Sequence, residues 1–119
     1  MARFVTGDRS NVALGRWGEE RVARWYLDEG YSVLARNWYG DGGELDLVLG
    51  HGPQVVFCEV KTRTSDRFGA PVEAVDLRKQ RRIRSLAIQW LRQQGRASEV
   101  RFDVASVSGG RVSVMEDAF

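Results

Sequence analysis

The sequence predicts an α/β fold, a mixed central sheet of about five strands flanked by two main helices. Three observations predict it. Apolar residues recur at helical spacing over residues 12–29 and 76–94; five shorter stretches alternate or run apolar; and glycine-containing breaks separate them, in the order α-β-β-β-α-β-β. The 119 residues, 43% hydrophobic and 29% charged, suffice for one ordinary core and leave no room for a second.

Residues 1–9 carry few apolar groups and end in Gly7-Asp8-Arg9, so they read as a flexible N-terminal arm, with 10–119 as a single domain. Ser10 and Asn11 are candidate caps for a helix from Val12 to Glu29, and Gly30 is placed to stop it. Strands are expected over Tyr31–Trp38, Glu44–Leu49 and Val55–Arg63, separated by Gly40-Asp41-Gly42-Gly43 and Gly50-His51-Gly52-Pro53. A loop from Thr64 to Val75, with Gly69 and Pro71, leads to Asp76, an N-cap for a helix ending at Gln94 before Gly95. Val100–Val107 and Arg111–Met115 close the sheet around Gly109-Gly110.

The net charge is only +2, yet eighteen basic against sixteen acidic side chains leave room for separate patches, so their distribution matters more than the total. One cysteine, Cys58, has no partner for an intrachain disulfide, which favours a reducing compartment and makes the cytoplasm the expected location. The N-terminus lacks the apolar core of a signal peptide, and no stretch approaches the roughly 18 apolar residues of a membrane span. No membrane role is expected. Neither Cys58 nor His51 is assigned any chemistry.

Alternate strand residues share a face, so Glu44, Asp46 and Val48 are expected together, opposite Leu45, Leu47 and Leu49. On the next strand Val55, Phe57, Glu59 and Lys61 share a side. If these strands pair through His51–Gln54, Asp46 falls opposite Glu59 and Glu44 opposite Lys61. Facing carboxylates repel unless a positive charge lies between them. Mg²⁺ or Mn²⁺ would supply it, with Asp46, Glu59 and the backbone carbonyl of Val60 as oxygen ligands, and Lys61 beside them to orient or activate a water. The plain alternative is a solvated sheet face; Val48, Val55 and Phe57 on the same side argue against it.

On the first helix Glu19 falls in the middle of an arc made by Val12, Gly15, Val22, Ala23 and Tyr26, whereas Glu20 lies about 100° away. An acid within an apolar stripe is costly unless paired or metal-bound, which makes Glu19 the third candidate carboxylate. The other side of this helix, Leu14, Trp17, Arg21 and Trp25, is either covered within the fold or is the contact of a homodimer.

The second helix opens with Arg78, Lys79, Arg81, Arg82 and Arg84, against the macrodipole preference for acids at that end. Phosphate binding explains the exception, as does a solvated cationic face. Gln80 points either into the cleft or along its rim. Arg63 and Arg67, in and after the third strand, are placed to reach phosphates beside a scissile one. Asp103 reads as the structural partner of an arginine.

Glu19 with Gly43-Glu44-Leu45-Asp46 and Glu59-Val60-Lys61 resembles the PD-(D/E)xK nuclease signature, with Leu45 where its name has proline. The chain is more closely similar to the bacterial YraN family of uncharacterised proteins, grouped with archaeal Holliday-junction resolvases. Leu14-Gly15-Arg16-Trp17-Gly18-Glu19, Glu44-Leu45-Asp46-Leu47-Val48, Val56-Phe57-Cys58-Glu59-Val60-Lys61-Thr62-Arg63, Phe68-Gly69, Arg101-Phe102-Asp103-Val104 and Ala118-Phe119 carry that similarity. It implies a restriction-endonuclease-like core and Mg²⁺ dependence; with the residues above, the expected function is a metal-dependent DNA endonuclease, with branched DNA, as for the resolvases, one candidate substrate. Asp46, Glu59 and Lys61 would then be the catalytic set, with Glu19 as the helix-borne acid. The alternative is a noncatalytic nucleic-acid-binding module of the same fold, acting through partners.

Overall fold

A computed structural model describes residues 2–63, 75–95 and 99–119, with side chains from residue 12 onward. Its elements are α1 (Ala2–Asp28), β1 (Ser32–Gly40), β2 (Gly43–His51), β3 (Gln54–Arg63), α2 (Leu77–Gln94), β4 (Glu99–Ser108) and β5 (Arg111–Met115), the order expected from the sequence. The loop expected over residues 64–75 lies outside the described residues except for Val75, and so does Arg67.

The strands form one mixed sheet in the order β1-β2-β3-β4-β5. Among the described strands, only β3 and β4 pair in parallel. A parallel pair needs a crossover, and α2 lies between these strands in the chain. Gly52 and Pro53 make the β2–β3 turn: His51 pairs with Gln54, and Gly52 has φ 58° before a proline confined near −65°, the combination of a type II′ turn. That turn sets the register Leu47↔Cys58 and Val48↔Phe57, which extrapolates to Asp46 opposite Glu59.

Each helix covers one face. Val22, Ala23 and Tyr26 of α1 are fully buried against Leu47, Leu49, Val56, Cys58, Ala105 and Val107. Ile83, Leu86, Ala87 and Trp90 of α2 pack against Leu45, Val48, Val55, Phe57, Phe102 and Val104. Asp76 caps α2 by accepting the Lys79 amide at 2.9 Å, and Gly95 ends it in the left-handed conformation at φ 69°. Beyond β5, the Ala118 amide donates to the Phe102 carbonyl at 2.7 Å and Phe119 stacks on Phe102 with ring centroids 5.1 Å apart.

Two expectations are corrected. The first concerns the start of α1, which is Ala2 and not Val12, so Ser10 and Asn11 lie within the helix and do not cap it. No proline interrupts residues 2–11, and extending an existing helix is far easier than starting one.

The second correction is to the strand faces. Leu45 joins Val48 in the α2 core, whereas Leu47 and Leu49 lie in the α1 core. The break in alternation falls at Asp46 and at Asn37 of β1, whose φ is 45°. Arg36 and Asn37, though consecutive, both reach α1, through Glu20 and Glu19 respectively. This local departure from pleating transfers Glu44 and Asp46 from the α2 face, where strict alternation would leave them beside Val48, to the face carrying Glu19.

Candidate active site

Glu19 reaches the sheet because Gly18 lets α1 come down onto β3. A Cβ on Gly18 would overlap the Thr62 hydroxyl. One residue further, Glu19 is half-buried and accepts a hydrogen bond from Asn37 Nδ2 at 2.9 Å. Glu20 points to water and pairs with Arg36 at 2.6 Å, as the helical arc predicted.

From β2, Glu44 and Asp46 approach Glu19 so that one carboxylate oxygen of each lies within 4.8 Å of the others. Asp46 accepts the Val60 amide at 2.9 Å. Because N–H and C=O of an extended residue point to the same side of the strand, the Val60 carbonyl is also on the Asp46 side. Burial, then the neighbouring Glu59 charge, pushes the Asp46 carboxyl up to about 8, against the pull of the Val60 amide. Burial likewise raises Glu19, helped by the charge on Glu44 and opposed by the Asn37 hydrogen bond. Carboxylates held above their ordinary range by burial and mutual repulsion are a donor set suited to a hard divalent cation.

Glu59 lies on the α2 side of this group and is only 7% exposed. Lys79 of α2 pairs with it at 2.5 Å, and Lys61 stands 3.8 Å from the same oxygen. Burial lowers the Lys61 ammonium, and the adjacent Lys79 lowers it further. Lys79 is itself desolvated, yet its contact with Glu59 leaves it above the ordinary lysine range. One ammonium is thus committed to Glu59 while its neighbour gives up a proton more readily.

The structure therefore brings Glu19, Asp46, Glu59 and Lys61 to one end of the sheet, with the Val60 backbone between the last two. It adds Glu44 to the tight acidic set, with Glu59 beside Asp46 and paired with Lys79. Alternation along β2 puts Glu44 on the same face as Asp46 but gives it no role. Asn37 was missed altogether; its signal was an asparagine, a residue tolerant of positive φ, inside an otherwise strand-forming run.

The expected phosphate contacts divide. Lys79 belongs to the site, through Glu59. Gln80 turns back on its own loop, donating to the Val75 carbonyl at 3.0 Å, and does not enter the cleft. Arg78, Arg81 and Arg82 are exposed on α2, and Arg63 ends β3 half-buried. Arg84 is occupied over the rings of Phe102 and Phe119, at 4.7 and 5.5 Å. Asp103 has the structural role expected of it: fully buried, it takes a two-pronged pair from Arg101 at 2.8 Å and a hydrogen bond from the Tyr26 hydroxyl at 2.6 Å.

Among the described residues, two cavities open beside Glu19. One, of about 230 Å³, is lined by Val12, Gly15, Arg16, Asn37, Tyr39 and Glu44 besides Glu19. The other, of about 150 Å³, shares Arg16, Glu19 and Asn37 and extends toward Arg36. The Glu19–Asn37 bridge divides them. The acidic set thus opens to solvent between α1 and β1, with arginines on its rim.

Fold and site define a small α/β protein with a carboxylate cluster at the end of a mixed sheet. A sequence profile of the Uncharacterised protein family UPF0102 matches residues 18–107. The chain belongs to this family, also called YraN. It is 45% identical over 115 residues to a UPF0102 protein of Rhodococcus jostii, covering 92% of this chain and 98% of the relative. It is 54% identical over 101 residues to one of Frankia alni, covering 84% of each chain. With a relative from Mycolicibacterium vanbaalenii it shares 47% identity over 113 residues, 94% of this chain and 93% of the other. Among the described residues no helix is long and apolar enough to cross a membrane.

Proposed function

We propose that this protein is a metal-dependent DNA endonuclease that hydrolyses phosphodiester bonds, with branched DNA as its substrate. One observation carries the reading: Glu19, Glu44 and Asp46 place oxygens within 4.8 Å of one another, next to a buried Glu59 bracketed by two lysines. In the apo protein such a cluster is a net cost, which a divalent cation would offset.

Asp46, Glu19 and Glu44 would hold Mg²⁺ or Mn²⁺, with Glu59 and the Val60 carbonyl at its edge. When bound, the ion would offset charge developing on the phosphate oxygens. Lys61, its ammonium destabilised by burial and by Lys79, is the group suited to hold or take a proton from an attacking water. Lys79 holds the Glu59 carboxylate in place through their ion pair. Asn37 fixes Glu19 by its amide. Arg16 and Arg36, on the rim, are suited to flanking phosphates, as are Arg63, Arg78 and Arg82 on the α2 side, and Arg67 by its place in the sequence shortly after β3. A homodimer through Leu14 and Trp17, which is 44% exposed, would set two such sites on one junction; a monomeric mass in light scattering at high concentration would rule that arrangement out.

The experiment is cleavage of labelled four-way, flap, duplex and single-stranded DNAs with Mg²⁺ or Mn²⁺, comparing wild type with Glu59→Ala, Lys61→Ala and Asp46→Asn. The expected result is cutting that needs the metal and falls at least 100-fold in each variant. Binding by all four proteins with no cutting by any would replace this reading with the noncatalytic module.

A further inference from the structure

We infer that the larger cavity is a subsite for an unpaired nucleotide, with Tyr39 as the stacking platform for its base and Arg16 as the contact for its phosphate. The inference rests on the nuclease reading and narrows it to substrates that carry a single-stranded or splayed base beside the cut.

Tyr39 is 74% exposed, the most exposed large hydrophobic side chain among the described residues. It is not a stray surface ring. In the β1–β2 register it stands opposite Glu44, one of the clustered carboxylates, whose charge acts on its hydroxyl. The cross-strand pairing ties the position of the ring to the acidic set. A large aromatic surface held in this way loses little further freedom when a base stacks on it.

The surroundings suit a nucleotide. Across the cavity from Tyr39 stand Val12, Gly15 and Arg16 of α1, and no atom lies within 4 Å of a Cβ added to Gly15, so the α1 wall is open there. The Arg16 charge acts on both Glu19 and Tyr39, which puts a cation between the acidic floor and the aromatic rim. Asn37 offers an amide at the cavity floor. An aromatic face, a guanidinium and an amide around about 230 Å³ match base, phosphate and sugar of one nucleotide. A base still paired in a duplex presents only its edge and cannot lie flat on the ring. The cavity therefore selects for substrates in which pairing is already broken next to the acidic set.

The test measures affinity with Ca²⁺ in place of Mg²⁺, using fluorescence anisotropy on a flap DNA with a single-stranded arm and on a fully paired duplex of equal length. Wild type, Tyr39→Phe and Tyr39→Ala are compared, and 2-aminopurine placed along the arm reports stacking. The expected result is a preference for the flap over the duplex that Tyr39→Ala reduces by roughly 5- to 100-fold. Tyr39→Phe should keep that preference, because it retains the ring and loses only the hydroxyl. Wild-type quenching of 2-aminopurine at one position, absent in Tyr39→Ala, should accompany it. Equal losses on flap and duplex, or a preference untouched by Tyr39→Ala, would overturn the stacking role and leave the nuclease reading standing. A wild type that binds neither DNA would overturn both.

Discussion

Asp46 concentrates the energetic tension of the site. Its carboxyl is raised from an ordinary 3.8 to about 8, first by burial and then by Glu59. Since the folded state binds that proton more tightly than the unfolded chain does, the metal-free protein has the full benefit below about pH 4. Stability then declines as pH rises through about 8. A divalent cation takes the place of the proton, so its stabilising effect should grow with pH. In thermal melts, Mn²⁺ should raise the Tm more at pH 8 than at pH 6, and Asp46→Asn should melt higher than wild type without metal while losing most of the Mn²⁺ response. A Tm increment equal at both pH values would mean that Asp46 is not a ligand.

At the level of elements, the approach of α1 to β3 decides whether Glu19 reaches the cluster. Gly18 permits it, since any side chain there would run into Thr62. Gly18→Ala should therefore cost about 1–3 kcal/mol in urea unfolding and weaken metal binding by displacing Glu19. Adding Thr62→Ala should restore part of the stability, because the Thr62 hydroxyl and methyl are among the atoms the new Cβ would meet. Additive losses in the double variant would show that the contact is not the cause. On the other face Gln89 of α2 grips the β1–β2 turn, accepting from the Asp41 amide at 2.8 Å and donating to its carbonyl at 3.1 Å. That clamp holds the kinked pair of strands against α2 while the kink turns its carboxylates toward α1.

Across the whole molecule, the two cores are joined at the end of the sheet away from the cluster by a polar hub. Arg101 pairs with Asp103 and also donates to Gln54 at 3.1 Å and to the Tyr31 hydroxyl at 3.1 Å. Asp103 in turn accepts from Tyr26 of α1 and from the Asp117 amide beyond β5 at 3.0 Å. Donors from α1, from β4 and from the segment beyond β5 thus converge on one buried carboxylate. Arg101→Ala, which leaves Asp103 buried and uncompensated, should lower unfolding free energy by about 3–5 kcal/mol. Tyr26→Phe should cost less, because two other donors remain. Guanidinium unfolding of both variants measures the difference, and a near-neutral Arg101→Ala would mean that the hub is not a source of stability.

The sequence by itself determined the element order, the α2 caps, the β2–β3 register and the inward position of Glu19, because each rests on local chemistry: helical or strand periodicity, a capping aspartate, a Gly-Pro turn. It also placed Glu59 and Lys61 on one face, since β3 alternates without interruption. What only the tertiary structure decided were the contacts made across elements. The kink at Asn37 and Asp46 is a property of two paired strands, and strict alternation along either strand misassigned Glu44 and Asp46 to the α2 face. The commitment of Lys79 to Glu59 depends on how α2 lies on the sheet, and charge patterning along that helix pointed outward to phosphate instead. Asn37 gained its position from Glu19 of α1, and Tyr39 from Glu44 across the β1–β2 hairpin, contacts that no periodicity along a single element describes.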